Sequence, residues 1–334
     1  MLFRSQALAD FQPDVIFIWG MWNLSKLIAQ GAERQVGNKV VYSIADMWPT
    51  HTDAHTAYWQ TPARRWFMRL PKRILATLIR PYLRLEGLPA TLRLENVICV
   101  SKALRDNLVS AGVPVHNARV IYSGIVLDDF LSSTRDRTWR DGKLSLLYVG
   151  RLVKEKGAHT AILALAELAN QRNLNNLDLT LLGWGPPDYV SHLRALANDN
   201  GLGEHITFLD PIPRAEMPGL LSRFHVLLFP SIWEEPFSRT LLEAMASGLA
   251  VVGTTTGGSK EVVVDGENAL TFTPGDAHDL ARQIERLARD PALRKRLALA
   301  GVRTVQERFD IERMVDQIEA YLLEVTHGHH EKIH

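Results

Sequence analysis

The sequence predicts an α/β protein built on parallel sheets. Three observations carry that prediction. From Leu144 onward, short β-branched or leucine-rich runs alternate with longer segments of helical period, the pattern of strands covered by helices. The 334 residues, 46% hydrophobic and 22% charged, suffice for two domains that each bury a core, and they exclude a disordered chain. The net charge of +1 hides two unlike regions: residues 1–140 carry 18 Lys and Arg against 11 Asp and Glu, and the remainder 20 against 26.

In chain order, the first region offers strands at Val15–Trp19, Lys39–Ile44, Val97–Val100 and Arg119–Tyr122, joined by a long aromatic and basic segment. The polar stretch Arg135–Gly142 reads as the interdomain linker. Six strands follow, each bounded by Gly, Pro or Asp: Leu144–Val149, Leu177–Leu182, Ile206–Leu209, Val226–Phe229, Ala250–Gly253 and Ala269–Phe272. Helices are expected at Ala158–Ala169, Tyr189–Asn200, Ala215–Arg223, Arg239–Ser247, Ala277–Arg289, Pro291–Arg308 and Ile311–Val325, with Gly201 and Gly248 as C-terminal stops. The domains are therefore expected at 1–140, with the C-terminal helix able to return to it, and at 141–325. Residues 326–334 are expected to form a solvated, His-rich tail without function.

Several function classes drop out at this level. No window approaches the roughly 18 apolar residues that cross a bilayer, and the first residues lack a signal-peptide pattern. The one cysteine, Cys99, forms no internal disulfide and lies in an apolar run, so it reads as a core thiol in a reducing, cytoplasmic setting. No Asp-x-Asp and no His/Cys cluster of metal spacing occurs before the tail, so no metal or other cofactor is expected. A Gly-x-Ser-x-Gly nucleophile elbow is missing as well.

The most informative stretch runs Phe229-Pro-Ser-Ile-Trp-Glu-Glu-Pro-Phe-Ser-Arg-Thr-Leu-Leu-Glu243 and on to Gly248. A strand ends, a loop turns and a helix begins. That order puts the loop at the carboxyl edge of a parallel sheet and aims the first free N–H groups of the helix at an anion. Glu235 in the loop and Glu243 in the helix stand roughly 10 Å apart at about 1.5 Å per residue, a span that suits hydroxyls at the two ends of a nucleotide sugar without an altered pKa. Taken singly, each also fits an ordinary loop or helix-surface acid. A second strand end, Val149-Gly-Arg-Leu-Val-Lys-Glu-Lys-Gly157, brings Arg151 and Lys156 toward the same edge, where they could neutralise a diphosphate. A surface ion pair, for example with Glu155, is the plainer reading of either cation.

Together these residues resemble the retaining nucleotide-sugar glycosyltransferases of family four, whose GT-B fold sets two Rossmann-like domains across a central cleft. The likeness extends from about Leu144 to Glu324 and includes Leu182-Gly-Trp-Gly-Pro-Pro187, Ile206–Pro211 and Thr256-Gly-Gly-Ser-Lys-Glu261. It implies that Glu235 holds hydroxyls of the donor sugar and that Glu243 holds the ribose. Gly150, Arg151 and Lys156 would then serve the diphosphate, with Phe237, Ser238, Arg239 and Thr240 around the phosphates. The implied catalytic group is Arg151, Lys156 and Glu235, acting by leaving-group stabilisation with no protein nucleophile assigned. Ser238 stands where the family usually has glycine, which narrows the expected sugar pocket.

In the first region, Val40–Pro49 resembles the family strand that ends in His-Asp, with Ala45 at the histidine position, Asp46 retained, and His51 or His55 just beyond. Asp46 and His51 are thus the acceptor-side candidates. Asn96–Lys102 and Val120–Ile125 continue the likeness, with Ser123 where asparagine is usual. The family's opening strands and glycine-rich loop find no counterpart, so the resemblance implies an incomplete N-terminal domain, and an uncovered strand edge suggests a homodimer or a partner chain. The implied substrates are a nucleoside-diphosphate sugar and a glycan or lipid-linked acceptor, in polysaccharide or glycolipid synthesis. Between Asp53 and Glu86 no acid occurs, while Arg64, Arg65, Arg69, Lys72, Arg73, Arg80 and Arg84 do. On a helical wheel Arg65, Arg69, Lys72, Arg73 and Arg80 fall on one side and Phe67, Met68, Leu70, Ile74, Leu75 and Leu78 opposite, a pattern suited to an anionic membrane surface, here the inner face, and not to nucleic acid. Pro71 and Pro81 are expected to break this segment into shorter pieces.

Overall fold

The computed structural model describes residues 10–22, 24–85, 90–131, 143–172 and 176–327. These form two compact units, one from the residues up to Ile121 together with those from Asp316, the other from Tyr122 to Val315. Each is a parallel α/β sheet, as the alternating pattern predicts.

The first unit holds β1 (Ile16–Trp19), α1 (Leu27–Val36), β2 (Val40–Ile44), α2 (Ala54–Gln60), α3 (Arg69–Leu85), β3 (Asn96–Cys99), α4 (Lys102–Ser110) and β4 (Arg119–Val120). The four strands lie in the order β1-β2-β3-β4, all parallel, with Ile16 opposite Val40, Val41 opposite Asn96 and Ile98 opposite Arg119. β2 is buried along its whole length, which is why it reads as an unbroken apolar run. Cys99 is buried as expected, and that burial pushes its thiol up to about 12. The basic segment departs from expectation, because α3 runs unbroken through both prolines. Pro71 sits in the first turn, where backbone N–H groups lack a helical partner in any case, and only Pro81 lies inside.

The second unit begins with α5 (Leu127–Leu131) and continues through β5 (Leu144–Val149), α6 (Ala158–Arg172), β6 (Leu177–Leu182), α7 (Pro187–Asp199) and β7 (Ile206–Leu209). Next come α8 (Met217–Leu221), β8 (Val226–Phe229), α9 (Arg239–Ala246), β9 (Ala250–Gly253), β10 (Leu270–Thr271), α10 (Ala277–Arg289) and α11 (Pro291–Arg308). Helix α12 (Ile311–His327) begins in this unit, belongs to the first from Asp316 onward, and carries Thr326 and His327, expected in the tail. The sheet order is β10-β9-β8-β5-β6-β7, all parallel. Alternate residues serve opposite faces, so Leu146, Val226 and Leu228 enter one core cluster while Leu147, Leu227 and Val251 enter the other.

The units divide at Ile121, not at the polar stretch 135–142. The reason lies in non-local packing: Ile125 donates to the Phe309 carbonyl at 3.0 Å and accepts from the Ile311 N–H at 3.0 Å, and Phe130 is buried in the second unit's core. Gly124 permits that approach, since a Cβ there would stand 2.6 Å from the Asp310 carbonyl oxygen. Residues 135–142, the whole of the expected linker, and 328–334 of the tail lie outside the described residues. The return of the C-terminal helix is visible in the first unit, where Glu324 takes a two-pronged hydrogen bond from Arg119 at 2.9 and 2.7 Å and the Arg119 guanidinium lies over the Tyr321 ring.

Candidate active site

In the second unit, β5 and β8 are neighbours, with Leu146 opposite Val226. From β5 the chain builds outward through β6 and β7, then crosses back and builds the other way through β8, β9 and β10. This reversal opens a crevice at the carboxyl ends of β5 and β8, the usual place for ligands in such sheets. Both sequence segments singled out for chemistry leave from these two strands.

After β5 come Gly150–Val153, a tight turn over Lys154–Lys156, and Gly157 in the left-handed region at φ 73°. After β8 comes the loop from Pro230 to Ser238. The two loops are locked together: the Glu155 carbonyl accepts from Ile232 at 2.9 Å and Trp233 at 3.2 Å, and a Cβ on Gly157 would stand 1.9 Å from the Pro230 carbonyl oxygen. From the β9 side, Gly258 donates to the Glu235 carbonyl at 2.6 Å, and a Cβ on Gly257 would meet that same oxygen at 2.3 Å. The Thr254 hydroxyl adds a 2.6 Å bond to the Ser231 carbonyl. Thus the Thr256–Glu261 landmark braces the Glu235 loop from behind.

A cavity of about 350 Å³ opens here, lined by Gly150, Arg151, Lys156, Glu235, Phe237, Ser238, Arg239 and Thr240 among others. Glu235 is 8% exposed and forms an ion pair with Lys156. The Ser231 hydroxyl donates to the same carboxylate oxygen, Oε1, at 3.0 Å, whereas Oε2 makes no hydrogen bond among the described residues. The partner of Lys156 is therefore Glu235 from the other predicted segment, not Glu155. Arg151 is exposed, and its carbonyl accepts from the buried Tyr148 hydroxyl at 2.7 Å. Ser238 turns its hydroxyl back to cap α9, accepting from Leu241 N–H. The Phe237 ring packs at a tilt against Tyr122 and Phe309, each with centroids 5.6 Å away, and those two rings meet edge-on at the same distance.

Glu243 does not line the cavity. It pairs with Arg214 at 3.3 Å, and burial holds its carboxyl above the ordinary range against the pull of Arg214 and Arg239. The expectation of an unaltered pKa fails for this residue. Ser231, Tyr148 and Arg214 escaped sequence reasoning. Arg214 alone left a signal, being a cation just past the end of β7 at the same sheet edge.

In the first unit, Asp46 and His51 follow β2. Asp46 accepts from Trp48 N–H at 2.6 Å and so closes a turn. His51 meets the Trp22 ring edge-on at 5.2 Å, and its carbonyl accepts from Lys26 Nζ at 2.7 Å. No hydrogen bond joins Asp46 to His51 among the described residues, and the His55 side chain lies outside them.

Comparison with known proteins bears on this geometry. Residues 131–303 match the family model described as glycosyl transferases group 1, which is more than half of the chain. The chain belongs to that family. Residues 2–129 of this group 1 glycosyltransferase match a second model, described as Glycosyltransferase Family 4. Glycogen synthase of Mycobacterium tuberculosis is 31% identical over 218 residues, covering 65% of this chain and 51% of its own. The lipopolysaccharide core biosynthesis glycosyltransferase LpsE of Rhizobium meliloti is 34% identical over 177 residues, 53% of this chain and 48% of its own. The chain spans about half the length of these curated relatives.

Among solved structures, HepE of Anabaena in complex with UDP is alike over 96% of this chain and 80% of its own, at TM-score 0.71 and 23% identity. HepE with UDP and glucose is alike over 89% and 73%, at TM-score 0.65 and 26% identity. Both units accordingly have the α/β architecture of GT-B glycosyltransferases.

Proposed function

We propose that this chain transfers a glycosyl unit from a nucleoside-diphosphate sugar to a glycan or lipid-linked acceptor, with retained anomeric configuration and no metal, in cell-surface polysaccharide or glycolipid synthesis. The observation that carries the reading is the meeting of Lys156, Glu235 and the N-terminus of α9 in one cavity at the β5/β8 reversal. The HepE complexes with UDP and glucose support a uridine diphosphate sugar as the first donor to test.

In this reading, Arg151 and Lys156 stabilise the charge that collects on the diphosphate as the sugar–oxygen bond breaks. The backbone N–H groups of Arg239 and Thr240, in the first turn of α9, lack helical acceptors and are suited to phosphate oxygens. Two organic cations and a helix terminus would do the work that a divalent ion does elsewhere. Glu235 accepts hydroxyls of the sugar through Oε2 while Lys156 and Ser231 fix Oε1. Because the Ser238 hydroxyl is turned into its helix cap, the serine need not close the sugar pocket. Glu243 is reserved for the ribose, with Arg214 holding its charge, and Asp46 and His51 stand on the acceptor side.

The test pairs calorimetry with UDP and a donor-consumption assay on the purified chain. Binding with turnover is the expected result, with turnover lost in both Glu235→Ala and Lys156→Ala and UDP binding weakened in Lys156→Ala. Binding without turnover would instead describe a donor-binding subunit that needs a partner chain.

A further inference from the structure

Helix α3 and the tight turn before it, Trp66–Met68, carry an exposed apolar stripe. Trp66 is 79% exposed, Leu70 68% and Leu78 70%, and Phe67, Ile74 and Leu75 are also exposed. The edge that faces the rest of the unit is narrow: Lys72, Ala76 and Ile79 are half-buried, and the Lys72 ammonium lies 4.1 Å above the Tyr58 ring of α2. An amphipathic helix normally turns its apolar face inward. Here that face points outward, beside exposed Arg65, Arg69 and Arg73, and the helical repeat brings positions 80 and 84 to the side of Arg69 and Arg73. No acid occurs from Ala54 to Leu85 to offset these cations.

We propose that residues 64–85 form a docking surface for an anionic phospholipid bilayer. Exposed Trp66, Phe67, Leu70, Ile74 and Leu78 would enter the headgroup boundary while the flanking arginines meet lipid phosphates. Both halves of the pattern are required: the cations alone suit any polyanion, and the stripe alone suits any apolar partner. Among the described residues no helix is long and apolar enough to cross a membrane, so attachment here is to the surface. The proposal stands apart from the transfer reading, since it concerns residues outside the cavity.

The experiment is vesicle flotation of the full chain with phosphatidylcholine alone and with added phosphatidylglycerol. Flotation with the mixed vesicles only, weakened by salt, is expected. Arg69→Glu with Arg73→Glu should lower partitioning at least about tenfold, and Leu70→Asp with Leu78→Asp should abolish it. UDP binding, read by calorimetry, should stay unchanged in both variants, which separates failure here from failure of the donor site. Equal binding to neutral vesicles, or none to either, overturns the proposal. So does self-association in light scattering that Leu70→Asp with Leu78→Asp removes without any flotation, which would assign the stripe to a second copy. Retention on RNA that survives the same pair of changes would assign the cations to nucleic acid.

Discussion

The two sheets are both parallel and both covered by helices, yet among the described strands only one of them reverses. In the second unit the strands build outward from β5 in two directions, and the reversal leaves a crevice between β5 and β8. In the first unit the described strands run from β1 to β4 in one direction. The chemistry follows this difference. Around the crevice, Lys156, Ser231 and Glu235 come together from two loops, whereas the candidates after β2 each bond to their own surroundings. A parallel sheet is thus not sufficient for a site; the turn in strand order concentrates groups from distant parts of the chain.

The largest test of this contrast is catalytic. Glu235→Ala removes the partner of both Lys156 and Ser231 and is expected to lower turnover by about 10²–10³-fold, in the range of losing one preorganised transition-state contact. Asp46→Ala and His51→Ala should stay within about tenfold. Equal losses from the two sets, measured by donor consumption, would break the comparison.

The glycines sharpen it further. Gly112 in the first unit, just past the end of α4, has φ 82° and open space where a Cβ would go, while Gly157 beside the crevice has φ 73° and a carbonyl oxygen 1.9 Å from that position. Gly112→Ala should therefore cost about 1 kcal/mol for the backbone conformation alone. Gly157→Ala adds a clash with backbone that cannot swing aside, and roughly 3 kcal/mol is expected. Urea unfolding of the two variants checks the ranking.

The smallest effect concerns acid–base balance. Burial raises the Glu243 carboxyl, so folding favours its protonated form. Its contribution is most favourable below the ordinary carboxylate range and is lost as pH rises through the raised value. Glu243→Gln should flatten that part of the stability–pH curve, and Arg214→Ala should steepen it by removing a charge that opposes the shift. A slope unchanged in both variants would detach Glu243 from the electrostatics of the crevice.

Much of the second unit was legible because its core strands are buried on both faces and read as plain apolar runs. Leu144–Val149, Val226–Phe229 and Ala250–Gly253 fall where the pattern puts them. Legibility failed where packing between distant residues decides. Tyr122–Leu131 joins the second unit through Gly124 and Asp310, and no local periodicity announces such a contact. The helix expected over Ala215–Arg223 is reduced to Met217–Leu221 after a tight turn at Arg214–Glu216, with Pro218 in its first turn. The site shows the same division. Strand ends and loop composition pointed to Lys156 and Glu235 separately, but their pairing, and the part of Ser231 in it, arises from the adjacency of β5 and β8.

The return of α12 to Arg119 bears on the order in which the molecule is made. The first unit leaves the ribosome early, but Tyr321 and Glu324 emerge only after all of β5 to α11. The second unit is contiguous and can close on its own residues during synthesis. The part of the protein that is translated first is therefore the part completed last, its final helix arriving after every residue that lines the cavity beside β5 and β8.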